Sequence, residues 1–116
     1  MSKEISERLY QFALRIIQLV RMLPSELAAR EIGKQLIRSG SSVAANYEEA
    51  TVAFSKNDFT YKLSTSFKEA KETWFWLRLL QDSEIVKGEI IQPLIQESHE
   101  IANILGKSVK TAKGRK

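Results

Sequence analysis

Cysteine is missing from this sequence, so disulfide bridges, thiolate-ligated zinc and thiol nucleophiles are excluded at the outset. Histidine occurs once, as His99. With no thiol and a single imidazole, most familiar catalytic constellations cannot be assembled. A long apolar run is missing too. The least charged stretch near the start, Gln11 to Val20, is interrupted by Arg15 and preceded by Glu4, Glu7 and Arg8, whereas a membrane span needs roughly 20 mostly apolar residues. Neither a signal peptide nor a span is expected. The reading is a soluble, cytoplasmic protein without membrane contact, and the lack of cysteine agrees with a reducing compartment. Strand-type alternation is absent as well.

What remains is a chain of 116 residues, about the size of one domain, with little room for a second core. Its net charge is +4, from 18 basic and 14 acidic residues. Five of the bases, Lys107, Lys110, Lys113, Arg115 and Lys116, lie in the last ten positions, where there is no acid. Thirteen bases against fourteen acids leave −1 for residues 1–106. The basic balance therefore belongs to a tail on a near-neutral body.

Four segments carry a helical period. Ile5, Leu9, Phe12, Ile16, Leu19 and Leu23 recur at spacings of 4, 3, 4, 3, 4, an apolar seam that predicts a helix over 4–22, ended by Pro24. Beside it Tyr10, Leu14 and Ile17, with Ala13 and Val20, widen the apolar arc beyond what one core contact requires. Tyr10, Leu14 and Ile17 are candidates for contact with another subunit. The second segment is predicted over 25–53 with Ser25 as N-cap. By propensity, Ser39-Gly40-Ser41-Ser42 reads as a turn, yet Leu36, Val43 and Tyr47 keep the apolar phase across it, which favours one unbroken helix whose small residues admit a close neighbour. The third helix, over 56–82, opens at the cap cluster Ser55-Lys56-Asn57-Asp58. It closes on Trp74-Phe75-Trp76-Leu77-Arg78-Leu79-Leu80, apolar nearly all round. Phe75, Trp76 and Leu79 form a second set of interface candidates. The fourth helix is predicted over 87–110, with Pro93 near its start and Gly106 and Gly114 marking weakening order; residues 111–116 form a frayed basic tail. Short connections between four amphipathic helices give an all-α, up-down-up-down antiparallel four-helix bundle over residues 1–110.

Two stretches carry a resemblance: Leu36 to Ala50, with its Arg-Ser-x-x-Ser-Val-Ala-x-Asn pattern at residues 38–46, and Ser55 to Phe59 leading to Lys68 through Leu77. Over residues 8–110 the chain resembles the small four-helix-bundle family first described as proteins encoded within intervening sequences of bacterial 23S rRNA genes. The resemblance implies an unbroken helix through Ser39–Ser42 and a ring-like homopentamer without an established activity. It extends to a related branch, the accessory variability determinant of diversity-generating retroelements, a basic pentamer that binds nucleic acid and a reverse transcriptase. Those proteins are distinctly basic, whereas the body here is near neutral, with Glu48 and Glu49 beside the signature.

A di-iron site of the kind built in bundles needs Glu-x-x-His on facing helices. Here Gln96 stands three before His99, so the motif is missing and His99 reads as an exposed or rim residue. Glu48, Glu49, Glu69 and Glu72 read as solvated charges or ion-pair partners. Ser39, Ser41 and Ser42 lie in no nucleophile elbow or phosphate loop and read as close-packing residues. No catalytic residue, cofactor or metal is expected.

Charge offers more. Arg30, Lys34 and Arg38, at i, i+4 and i+8, form a basic stripe on the second helix; Lys68, Lys71 and Arg78 form a looser one on the third. Each stripe also reads as a solvated face partly neutralised by Glu26, Glu31, Glu69 and Glu72. The tail from Lys107 to Lys116 reads either as a flexible arm for phosphate backbone or as a solubilising end that favours the helix dipole. Tyr47, Phe54, Trp74, Phe75 and Trp76, without basic residues interleaved among them, read as core or interface anchors rather than base-stacking platforms. The resulting expectation is a non-enzymatic homo-oligomeric scaffold binding RNA, DNA or a nucleic-acid enzyme such as a reverse transcriptase. The alternative is a protein-interaction module that binds no nucleic acid. Five copies would together carry about +20, which favours phosphate binding by the assembly over binding by one chain.

Overall fold

A computed structural model describes residues 3–114; Arg115 and Lys116, the end of the expected basic tail, lie outside the described residues. Four helices follow one another: α1 (Lys3–Arg21), α2 (Leu27–Thr51), α3 (Lys56–Asp82) and α4 (Gly88–Gly114). Each packs on the next and α1 closes on α4, while the diagonal pairs α1/α3 and α2/α4 come nowhere within 8 Å between described Cα atoms. The bundle measures 48 × 21 × 19 Å. None of the described helices is long and apolar enough to cross a membrane.

The apolar seams read from the sequence form the core. Leu9, Phe12 and Ile16 from α1 meet Leu36 and Val43 from α2, Leu63 and Leu77 from α3, and Ile91, Ile101 and Leu105 from α4 in one buried cluster. At roughly 1.5–3 kcal/mol for each fully buried large aliphatic or aromatic side chain, this cluster is the main source of stability.

Helix α2 runs unbroken through Ser39–Ser42. Ser39 and Gly40 are fully buried, Ser42 is half-buried and Ser41 is exposed, so close packing accounts for the first pair and not for the second. A Cβ built on Gly40 would stand 3.1 Å from Ile16 Cγ1 and Cγ2 of α1, and one on Gly33, a heptad earlier, 3.2 Å from Val20 Cγ1. Helix propensity is sacrificed at both glycines for close approach of α1. Ser41 Oγ donates back to the Ile37 carbonyl (2.7 Å) and Asn46 Nδ2 to Ser42 Oγ (2.8 Å), bonds made within the helix itself.

On the other side of α2, buried hydroxyls join it to α3. Ser66 Oγ donates to the Val43 carbonyl at 2.6 Å. Thr73 Oγ1 lies 2.8 Å from the Glu69 carbonyl and 2.9 Å from Ser39 Oγ; donating to the carbonyl, it is left to accept from Ser39. Of the residues that carry the family pattern, Ser39 and Val43 thus serve the α2–α3 contact.

Three expectations are corrected in α2 and α4. Glu26, not Ser25, occupies the N-cap of α2, with extended backbone (φ −140°, ψ 161°) and no side-chain cap bond. The Glu26 N–H closes on the Pro24 carbonyl at 3.0 Å, a three-residue turn centred on Ser25 that carries the serine out of cap position. Helix α4 continues past residue 110 to Gly114, because Val109 and Ala112 extend its buried stripe. Lys110 and Lys113 are therefore helical, and the expected flexible arm is absent from the described residues up to 114. Gly106 marks close approach rather than weakening order: a Cβ there would stand 3.0 Å from the Phe67 ring. The cap of α3 matches its sequence signal, Ser55 Oγ accepting from the Asp58 N–H at 3.0 Å.

Candidate nucleic-acid interface

The acids in the middle of α3 and α4 all turn toward α2 and α1. Arg38 of α2 reaches across to Glu69 (3.1 Å) and also pairs with Glu72. Arg8 of α1 grips Glu97 of α4 through two bonds of 2.8 and 2.7 Å and reaches Glu100 at 2.8 Å. Such two-pronged guanidinium–carboxylate contacts are the stronger kind of ion pair. The Glu97 contact raises the Arg8 pKa above its ordinary value, and the Glu72 contact does the same for Arg38. Glu72 also accepts from the Trp76 indole N–H at 3.0 Å; that bond first, and Arg38 second, holds its carboxyl below the usual range.

With those acids turned away, the outer side of α3 and α4 is left basic. Lys68, Lys71 and Arg78 on α3 and Lys107, Lys110 and Lys113 on α4 are exposed, and none makes a salt bridge with a described residue. The carboxylates expected to neutralise the α3 stripe, Glu69 and Glu72, are occupied by Arg38.

Toward the Arg78 end of this face the Trp74 ring is half-buried and stacks on His99 of α4, centroids 4.8 Å apart and planes 24° from parallel. The Arg78 guanidinium carbon lies 4.0 Å and the Lys71 ammonium 4.9 Å from the ring centroid. Lys71, Trp74 and Arg78, at i, i+3 and i+7, share one face of α3, and His99, Asn103 and Lys110 share one face of α4. Basic residues do accompany this aromatic. They were not apparent as interleaved because the helix, rather than adjacency in sequence, brings residues three and four positions away over the ring.

The other predicted residues scatter. Lys34 pairs with Glu31 at 3.2 Å, and Arg38 turns to α3, so the i, i+4, i+8 stripe on α2 is broken. Arg30 and Lys34 instead edge a groove of about 290 Å³ whose apolar lining includes Val20, Leu23 and Ile37. Tyr10, Leu14 and Ile17 are exposed on α1, at 51, 37 and 38 %, and Phe75 and Leu79 on α3, at 47 and 39 %. Trp76 is half-buried, its ring edge-on to Phe75 at 4.9 Å. Tyr47 is a core residue at 4 % exposure, and Phe54 stands entirely free at the α2–α3 turn. Among the described residues no group of three or more His, Asp or Glu is placed to hold a metal ion.

Sequence reasoning missed His99 as the partner of Trp74. The signal was available in hairpin register: a short α3–α4 connection sets residues equally far from it side by side, and the Gln81–Gln92 bond of 3.0 Å marks the same register.

The profile of the 23S rRNA-intervening sequence protein family matches residues 2–107. A solved structure from Bacteroides thetaiotaomicron VPI-5482, described as a protein with unknown function from the S23 ribosomal protein family, is 37 % identical. The match covers 91 % of this chain and 98 % of that one, with a TM-score of 0.84. No curated protein sequence matches.

Proposed function

The chain belongs to the 23S rRNA-intervening sequence protein family, and we propose that it is a non-enzymatic, homo-oligomeric scaffold of the cytoplasm whose α3–α4 face holds the phosphate backbone of a nucleic acid. One observation carries this reading: six exposed cations on two neighbouring helices, none in a salt bridge with a described residue, while the mid-helix acids of both helices are held by Arg8 and Arg38. Cations left unneutralised by their own chain attract polyanions over a Debye length and release their counterions on contact.

The exposed apolar residues support a ring. Tyr10, Leu14 and Ile17 lie on α1 and Phe75 and Leu79 on α3, helices that occupy opposite corners of the bundle. A closed ring with an odd number of members, such as the pentamer implied by the resemblance, requires two different complementary surfaces on each protomer. Two separate apolar patches on opposite sides meet that requirement, and assembly repeats the basic face around the ring. The groove edged by Arg30 and Lys34 favours a second reading: an acidic, partly apolar protein segment such as a surface of a reverse transcriptase would dock there, with or without nucleic acid.

Two measurements test the proposal. Absolute mass by light scattering should exceed that of one chain. Binding to RNA and to duplex DNA should weaken linearly in log–log form as salt rises, with a slope on the order of −0.7 to −0.9 per phosphate contacted. Absence of binding at low salt would leave only the protein-interaction reading.

A further inference from the structure

We propose that the α3–α4 face takes a single strand, with an unpaired base stacked on the outer side of His99 and phosphates held by the flanking cations. The inference rests on the backbone-binding reading and narrows it to a ligand with free bases.

The Trp74 ring is covered by His99, Arg78 and Lys71, so Trp74 itself offers little to a ligand. It acts as the base of the stack. His99 is exposed, and among the described residues Trp74 is its one ring partner. The stack therefore ends in an imidazole with a side turned to solvent, held flat by the indole beneath. A planar ring presented in this way is what a base needs in order to continue the stack, and histidine is among the side chains on which unpaired bases stack. A duplex cannot use it, because its base faces already cover one another and only base edges and the backbone reach the surface.

The charges fit the same ligand. Trp74 restrains Arg78 and Lys71 over its own ring, which reduces the ordering entropy lost when they engage phosphate. Down α4, Lys110 and Lys113 follow His99 by about 16 and 21 Å at 1.5 Å per residue. That length suits a strand of a few nucleotides laid along the helix pair.

The test uses the full chain in its native assembly and fluorescence anisotropy over one matched series of salt concentrations, from low salt upward. Three labelled probes are compared: oligo(U) or oligo(dT), an abasic phosphodiester strand of equal length, and a fully paired duplex without a loop. The base-bearing strand should bind about tenfold or more tightly than either of the others. His99→Ala should bring its affinity down to that of the abasic strand while leaving abasic binding and the salt slope unchanged, and His99→Phe should keep the preference. Equal binding of base-bearing and abasic strands, or a preference untouched in His99→Ala, would overturn the stacking inference and leave backbone binding standing. Failure of all three probes to bind at low salt would overturn the backbone reading, and this inference with it.

Discussion

Gly40 of α2 lies directly against Ile16 of α1, close enough that a Cβ would stand 3.1 Å from both γ carbons of a side chain that is itself fully buried. Ile16 is wholly buried, so it cannot give way into solvent. Gly40→Val should therefore destabilise the bundle by about 1–3 kcal/mol through overpacking. Ser41→Ala, one position on and exposed, should stay within about 0.5 kcal/mol of the parent. Urea unfolding of the two variants side by side checks both, and a stable Gly40→Val protein would show that α1 is not seated on this glycine.

The turn after α3 holds Glu84 at φ 63°, a left-handed conformation that suits glycine better than a residue with a Cβ. Around it the Ile85 N–H bonds to the Leu80 carbonyl at 3.2 Å and the Glu84 N–H to the Gln81 carbonyl at 3.0 Å, the pairing of a Schellman cap. Glu84→Gly keeps that cap and relieves the strain, so stability should rise by about 1 kcal/mol and Tm by several degrees. Calorimetry reads the sign directly.

Glu72 titrates below the ordinary carboxyl value because Trp76 donates to its ionised form and Arg38 stands beside it. A carboxyl depressed in the folded state contributes stability above its unfolded pKa, and that stability is lost as pH falls through the folded value. Stability should therefore decline below about pH 4.5, where the unfolded chain begins to take up the proton. Trp76→Phe removes the largest cause and should flatten this acid limb in a series of melting temperatures from pH 7 to pH 3. An acid limb of unchanged depth would assign the decline to other carboxylates.

Charge and packing separate at the end of α4. Replacing Lys107, Lys110 and Lys113 together by Gln should leave Tm nearly unchanged, because all three are exposed. It should also weaken nucleic-acid binding and reduce the salt slope by about 0.7 for each phosphate that is no longer neutralised. Deleting residues 107–116 is a different experiment. It removes Val109 and Ala112 from the core and should lower Tm as well as binding.

A ring built from two unlike faces can be opened from either side. Ile17→Glu and Phe75→Glu should each reduce the mass measured by light scattering. Mixing the two proteins should restore one sound joint, α1 of the Phe75→Glu chain against α3 of the Ile17→Glu chain, and yield a dimer. If the mixture stays as small as its components, the two patches do not meet each other.

Helix number, order and phase were legible because an apolar seam at 3.6-residue spacing is a local signal. It survives a run of serines that propensity alone would read as a turn. The bounds of α3 could be read for the same reason, with Ser55 capping it. The errors fell where a neighbour decides. Ser25 looked like a cap until a turn through Pro24 displaced it, and Gly106 looked like a weak point until Phe67 packed on it. Lys110 and Lys113 looked like parts of a loose arm until Val109 and Ala112 tied the helix down.

By itself, then, the sequence determined an all-α chain of four amphipathic helices, without thiol chemistry and with its surplus of positive charge near one end. Periodicity and composition are properties of the chain alone, and no partner is needed to express them. Which charges remain available was decided by the tertiary structure. The same carboxylates that appear in sequence to neutralise α3 are taken by Arg38, Arg8 takes those of α4, and Trp74 meets His99 only because the α3–α4 hairpin sets them level. Pairing depends on distance across helices, which one-dimensional spacing does not contain.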